Sequence, residues 1–340
     1  MIWRYRINLR SRARVLTSLF VLLASLAVVC GVSARPAAAA DNGRWSVFPT
    51  TAKGQSLARP YFQPLLTPGV PVRDSLTITN ETKTRLKFHI YGSDAYNSPS
   101  GQFLLKLSYQ PMHDIGTWIH LPVSTLTLRA KRAVKVPFTI TPPANATPGD
   151  HAGGIIVEGQ PSAAHKSGAL QIHQIDAVAV RMYARVRGPL SPSLSVTSVH
   201  LDPSRGGAAL FGAGSNVNVS YTVTNTGNVN LTPTADLSVS AVLGSTHHRT
   251  SVIPQLLPGG SATIHQEISG VKPSVILHSK VVVTAKHTAG EASASVWNIP
   301  WLLLAIIVAI IAAIVWYRRR RRGTAPPEDA TGRHREPTNA

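Results

Sequence analysis

Nineteen consecutive residues, Ile299 to Tyr317, carry no charge, and five arginines, Arg318 to Arg322, follow without a break. As a helix that segment reaches about 28 Å, the thickness of a bilayer's hydrocarbon core. Trp297, Trp301, Trp316 and Tyr317 stand at its two ends, where aromatic belts lie. A buried helix of a globular core is the competing reading, but such a helix does not normally stop in five arginines. The segment 298–317 is therefore expected to be a transmembrane helix. The positive-inside rule then puts residues 318–340, a basic tail rich in Pro, Gly and Thr, in the cytoplasm as disordered chain. Everything before it is expected outside the cell.

The other end of the chain points the same way. Residues 1–40 hold six arginines and no acid, with an apolar run from Val15 to Val29 and four alanines, Ala37 to Ala40. A charged start, a short apolar stretch and a small-residue exit make a secretory signal peptide, with cleavage expected after Ala40. A retained first membrane helix is the alternative, disfavoured because the apolar run is short. Cys30, the single cysteine, leaves with that segment. The mature chain is then without thiols, which excludes a disulfide framework, a four-cysteine zinc site and cysteine-nucleophile chemistry.

Between the two apolar ends, periodicity is that of strands. Leu86, Phe88 and Ile90 alternate with Arg85, Lys87 and His89, so the first set should face a core and the second solvent. Phe88 and, further on, Trp118 are candidate core residues. Comparable runs are 72–79, 125–128, 133–140, 154–158 and 178–186, then 194–199, 217–224, 235–242, 262–268 and 275–284. Turn signals at Pro68-Gly69, Asn97 to Gly101, Pro142-Pro143, Pro148-Gly149, Thr226-Gly227-Asn228 and Pro258-Gly259-Gly260 separate them, and no stretch shows helical spacing outside the two terminal segments. The expected fold class is all-β: two tandem immunoglobulin-like antiparallel β-sandwiches, residues 41–188 and 189–297, followed by the one transmembrane helix. A weak internal echo supports the duplication: Thr79-Asn80 and Thr224-Asn225 each end a strand at a turn, where asparagine suits the backbone. Convergent turn chemistry is the alternative, and shared immunoglobulin-like architecture is the favoured one, because both echoes precede a Pro-Gly turn and another strand pair.

Charge divides the two sandwiches. Residues 41–188 hold 16 basic and 8 acidic side chains, against 5 and 4 in 189–297. Lys83, Arg85, Lys87 and His89 share one parity, as do Arg181, Tyr183, Arg185 and Arg187. If both strands lie in one sheet, they present a basic face with an aromatic ring in it, suited to carboxylates, phosphates and sugar faces. The same residues could equally be the solvated side of amphipathic strands. A second candidate is TPGDHAGG, Thr147 to Gly154. Here Pro148-Gly149 reads as a tight turn, Gly153-Gly154 as a place of close approach, and Asp150 and His151 as polar contacts for a ligand or as turn caps.

Catalysis finds little footing. Neither a GxSxG nor an HExxH motif is present, and no pair of carboxylates is recognisable as general acid and base. His247-His248 and the pair His165/His173 lack a carboxylate at metal-site spacing. No enzyme, cofactor or metal is expected, and no nucleic acid as partner.

Several segments of the first unit together resemble the peptidoglycan-binding domain of the WxL-interacting protein family of bacterial wall-associated proteins. They are WSVFP (Trp45 to Pro49), RPYFQPLLTPG (Arg59 to Gly69), the strand Leu76 to Asn80, FTITPPANATPGDHAGGI (Phe138 to Ile155), and Arg181-Met182-Tyr183 leading to Val186 and Gly188. The resemblance covers about residues 45–187. Signal peptide, second β-domain, membrane helix and basic tail agree with its wider layout, while residues 188–297 depart from the family's usual second domain. The resemblance implies a non-enzymatic, membrane-anchored cell-surface protein, with peptidoglycan or an associated anionic wall polymer as ligand. A surface scaffold or adhesin gripping another cell-surface protein is the alternative.

Overall fold

The computed structural model describes residues 42–50, 59–160, 165–167, 170–172, 175–204, 214–242, 244, 246–272, 274–299 and 301–322. Residues 1–41, with Cys30 and the expected signal peptide, His173 and residues 323–340 lie outside the described residues.

The first unit is a sandwich of two sheets. Its strands in chain order are β1 (Trp45–Thr50), β2 (Leu65–Leu66), β3 (Val72–Asn80), β4 (Leu86–Asn97) and β5 (Phe103–Leu105), then β6 (Ile119–His120), β7 (Thr125–Leu128), β8 (Ala133–Ile140) and β9 (Gly149–Gly159). After a small hairpin, β10 (His165–Ser167) and β11 (Leu170–Ile172), comes β12 (Ala177–Val186). One sheet runs β1-β3-β8-β6, and the other β2-β12-β9-β4-β5 with β7 also on β4. The alternation at Leu86 to Ile90 has the expected sense: Phe88 and Ile90 are buried, Lys87 and His89 exposed. Trp45 packs edge-on against Phe88 with ring centroids 5.2 Å apart, and Phe62 does the same against Phe138 at 5.0 Å. Trp118 belongs to the same core.

The second unit repeats the architecture with β13 (Leu194–Pro203), β14 (Ser215–Asn225), β15 (Thr234–Ala241), β16 (Thr246–Val252), β17 (Ser261–Val271), β18 (Ile276–Ala285) and β19 (Thr288–Trp297). Its sheets run β13-β14-β17 and β16-β15-β18-β19. The two hydrophobic cores divide between Val186 and Leu194.

Three expectations need correction. The sheets are not purely antiparallel: β2 lies parallel to β12, with Leu65 opposite Arg185. A helical turn, α1 (Ile115–Trp118), stands where no helical spacing was visible, because one turn is too short to show a period. TPGDHAGG is no turn with a strand after it, since β9 starts at Gly149 and runs through the middle of its sheet. The close approach expected at Gly153-Gly154 is made by the protein's own packing. A Cβ at Gly153 would lie 1.8 Å from the Ile115 side chain, so only hydrogen there lets α1 seat on the sheet. Gly149 has φ +124, and a Cβ on it would meet the Asn228 carbonyl at 2.2 Å.

The last element is α2 (Trp301–Arg322), which continues through the arginines. Among the described residues no helix is long and apolar enough to cross a membrane. The side chains of Trp301 and Leu303 are outside that description, and the run starting at Leu304 meets Arg318 after about four turns.

Candidate functional site

The turn between β3 and β4 and the turn between β7 and β8 are tied together by one buried side chain. Asn80 Nδ2 donates to the carbonyls of Thr84 (2.8 Å), Leu128 (3.2 Å) and Arg129 (3.1 Å), while its Oδ1 accepts from the Thr82 amide at 2.9 Å. The Asn80 amide donates to the Arg132 carbonyl. Because both turns are pinned to Asn80, their cations converge. Lys83, Arg85 and Lys87 from one side meet Arg129, Lys131 and Arg132 from the other, all exposed. Of the acids nearby, Asp176 pairs with Arg44 at 2.9 Å, while the exposed Glu81 carboxylate accepts from Ser46 Oγ and keeps its charge beside the six cations. This cationic tip ends the first sandwich on the side away from the second unit. From Leu86, β4 runs 12 residues, roughly 40 Å of strand, to Asn97 at the junction.

The expected basic face therefore resolves into two places. The strands bearing Lys87 and Arg181 do belong to one sheet, separated by β9. But His89 is level with Ala177 across Glu158, whereas Arg185 is level with Asp150, about 26 Å further along the strand. His89 Nδ1 lies 3.8 Å from Glu158 Oε2, and its ring stacks near Tyr91 at 5.0 Å. Burial and the neighbouring Glu158 push the Tyr91 phenol up to about 12. Arg181 lies over the Phe103 ring at 4.8 Å, and Phe103 in turn touches Tyr183 at 5.6 Å. Arg187 is exposed just beyond the strand.

Arg185, Asp150 and the second unit form a polar junction. Arg185 Nε and Nη2 donate to the two Asp150 oxygens at 2.5 and 2.9 Å, and the Asn230 amide donates to Oδ2 at 2.8 Å. Asn228 Nδ2 donates to the Pro148 and Pro189 carbonyls, and Asn97 bridges to Gln255 and Leu257. Asp150, only 8% exposed, is thus occupied in holding the two sandwiches together. Beside it lies a cleft of about 500 Å³ lined by Tyr61, Gln63, Leu65, Tyr183, Arg185 and Lys286 among others.

His151 points to the opposite side of β9. Its Nδ1 is 2.8 Å from Asp114 Oδ1, its Nε2 is 2.8 Å from the Thr147 carbonyl, and its ring packs on Trp118 at 4.8 Å. Two acceptors facing one imidazole favour the doubly protonated ring. Burial pulls its pKa down, but the hydrogen bond and charge of Asp114 outweigh that, leaving it above the ordinary 6.5. Sequence reasoning missed Asp94 altogether. This buried carboxylate accepts from the amides of His113 (2.6 Å), Asp114 (3.2 Å) and Gly116 (2.8 Å) and from Lys106 Nζ (3.3 Å), shaping the loop before α1. It also missed Arg129, Lys131 and Arg132, whose run after a strand was visible but whose neighbour in space was not.

No protein-family model matches the chain, and no curated protein is significantly similar to it in sequence. Among solved structures it is similar to the class 5 fimbriae chaperone CfaA, with TM-score 0.32 and 11% identity over 75% of this chain and 99% of that one. The Salmonella enterica chaperone SafB with its SafA pilin gives 0.31 and 9%, covering 75% and 98%. The E. coli chaperone DraB gives 0.30 and 10%, covering 73% and 96%. Likeness at this level carries no argument about the activity of this chain.

Proposed function

We propose that this chain is a non-enzymatic surface protein. It is anchored by α2 and binds peptidoglycan or an associated anionic wall polymer through the first sandwich. The observation that carries the reading is the cationic tip: Lys83, Arg85, Lys87, Arg129, Lys131 and Arg132 gathered by Asn80 at the end of the sandwich away from the second unit. Repulsion among clustered cations is a cost that binding a polyanion relieves, and arginine forks suit both carboxylate and phosphodiester oxygens. The resemblance of Trp45 to Pro49 and Phe138 to Ile155 to a peptidoglycan-binding family supports the same ligand class.

The anchor follows from α2. Leu302, Leu304, Ile306, Val308, Ile310, Ile314 and Trp316 are all between 37% and 61% exposed; at 3.6 residues per turn they lie on every side of the helix, and none of the described residues covers them. A helix apolar all round requires a non-aqueous surrounding. Arg320 and Arg321 lie over Trp316 and Tyr317, a pairing suited to the cytoplasmic interface. Residues 1–40 act as the export signal in this reading, leaving the tip outermost.

The test is co-sedimentation of the full chain in detergent with purified sacculi, with and without their anionic polymers. Replacing Arg85, Lys87, Arg129 and Arg132 by Ser should weaken binding at least tenfold, and binding by the parent should fall steeply as salt rises. A folded variant that sediments like the parent would refute the tip as the binding surface.

A further inference from the structure

The edge of the larger sheet of the first sandwich is left open where it borders the cleft. β2 and the residues before it run parallel to β12, and their hydrogen bonds to it alternate. Phe62 donates to the Arg181 carbonyl and accepts from the Tyr183 amide, while the Arg185 and Arg187 amides donate to the carbonyls of Pro64 and Leu66. The residues between, Gln63 and Leu65, turn their own N–H and C=O groups the other way. Both are exposed, Leu65 at 51%, and both line the cleft. Among the described residues nothing is paired with those four backbone groups.

We propose that this edge binds an extended segment of a second protein by strand addition, with an acidic side chain of that segment beside Lys286. This site is separate from the cationic tip and goes beyond the wall-polymer reading. The spacing selects the occupant: two donor–acceptor pairs two residues apart, about 7 Å, match a peptide backbone, whereas a glycan offers no such repeat. Charge selects its sequence. Arg185 is matched by Asp150, and Arg181 lies over Phe103. Lys286 is exposed and, among the described residues, reaches only the Asn230 carbonyl, at 3.4 Å. The cleft thus offers an unmatched ammonium. Leu65 on the outer face gives an apolar neighbour to one side chain of the added strand. Tyr61 and Tyr183, edge-on at 5.4 Å, continue that surface.

The experiment uses the full chain in detergent and a panel of blocked decapeptides alternating valine and threonine, with a single aspartate moved along the positions. Hydrogen exchange at the Gln63 and Leu65 amides and fluorescence affinity are read together. At least one register should slow exchange at both amides tenfold or more. Q63P/L65P, which removes the two outward N–H groups at an edge position where proline is tolerated, should lower affinity at least tenfold while keeping the melting midpoint and sacculus binding. Leu65→Thr, which keeps the amide, should stay within threefold. Lys286→Glu, which leaves the backbone intact, should move the preference from aspartate-bearing to lysine-bearing peptides. The proposal is overturned if no peptide protects either amide at its solubility limit, or if the proline variant binds as the parent does. A concentration-dependent dimer that buries the same edge would also overturn it, because a second copy would then be the occupant.

Discussion

The two sandwiches are built with one device and carry different cores and surfaces. In each, a buried asparagine at the end of a strand donates to the carbonyl four residues on and accepts from the amide two residues on. Asn80 bonds Thr84 and Thr82, and Asn225 bonds Val229 and Gly227. Each also reaches across to another turn, at Leu128 and Leu256 respectively. The cores and surfaces differ. The first is built around Trp45, Phe62, Phe88, Trp118 and Phe138, and carries 16 basic against 8 acidic residues. The second is almost wholly aliphatic apart from Tyr221, with 5 against 4. The same device pins the turns of both units, and the cations on the first unit's turns are what the proposed binding rests on. The second sandwich shows that the same architecture stands without them.

The core contrast gives the largest effect. Phe88→Ala should destabilise the first sandwich by about 3–5 kcal/mol, because a fully buried ring against Trp45 leaves a cavity that neighbours fill poorly. Val239→Ala in the second sandwich, equally buried, removes far less volume and should cost about 2 kcal/mol. Denaturant titrations of the two variants measure the gap. Equal costs would mean the first core relaxes around the hole, and that the aromatic contrast is only compositional.

The shared device gives the next. Asn80→Ala and Asn225→Ala each strand several buried carbonyls and should each cost about 1–3 kcal/mol. The two values should agree closely if the turns are equivalent. Asn80→Ala should in addition weaken sacculus binding, since it frees the two turns that carry Arg85 and Arg129. Asn225→Ala should leave binding unchanged. An Asn80 variant that loses stability but binds as before would separate the turn geometry from the proposed binding surface.

Much of this was legible in the chain. Strands 125–128 and 133–140 match the alternation residue for residue, as do the burial of Phe88 and the Thr-Asn echo, because local pattern decides each of these. β19 was missed because its ten residues alternate in exposure while being mostly Ala, Ser and Gly, too small to look like a strand. Asp150 and Arg185 stood out as candidate ligand contacts, yet in space they neutralise each other. Parity fixes which face a side chain takes and says nothing of what waits there from 35 residues away. The cationic tip was legible only in half: Lys83 to Lys87 lie on one strand entry, and their partners arrive through Asn80's bonds to a turn 49 residues on.

The smallest effect separates the units by pH. His151 is held between the Asp114 carboxylate and the Thr147 carbonyl, with Asp150 adding to the attraction, and its folded pKa lies above 6.5. A group whose pKa is raised on folding binds its proton more tightly in the native state. Its stabilisation is therefore complete below the unfolded value of about 6.5 and is lost as pH rises through the higher folded value. The first sandwich should accordingly melt at a lower temperature at pH 9 than at pH 6, by less than the asparagine substitutions cost. Trp45 and Trp118 belong to that sandwich, whereas Trp297 ends β19 of the second and Trp301 and Trp316 lie in α2, so in a background with the chain's other tryptophans replaced by Phe, tryptophan fluorescence follows the unfolding of the first unit. His151→Gln keeps one donor toward Asp114 but cannot be protonated, and should flatten the response over this range, well above the carboxylates' titration. If parent and variant lose stability in parallel between pH 6 and 9, the response arises elsewhere, and the His151 clasp is no source of pH sensitivity in the first unit.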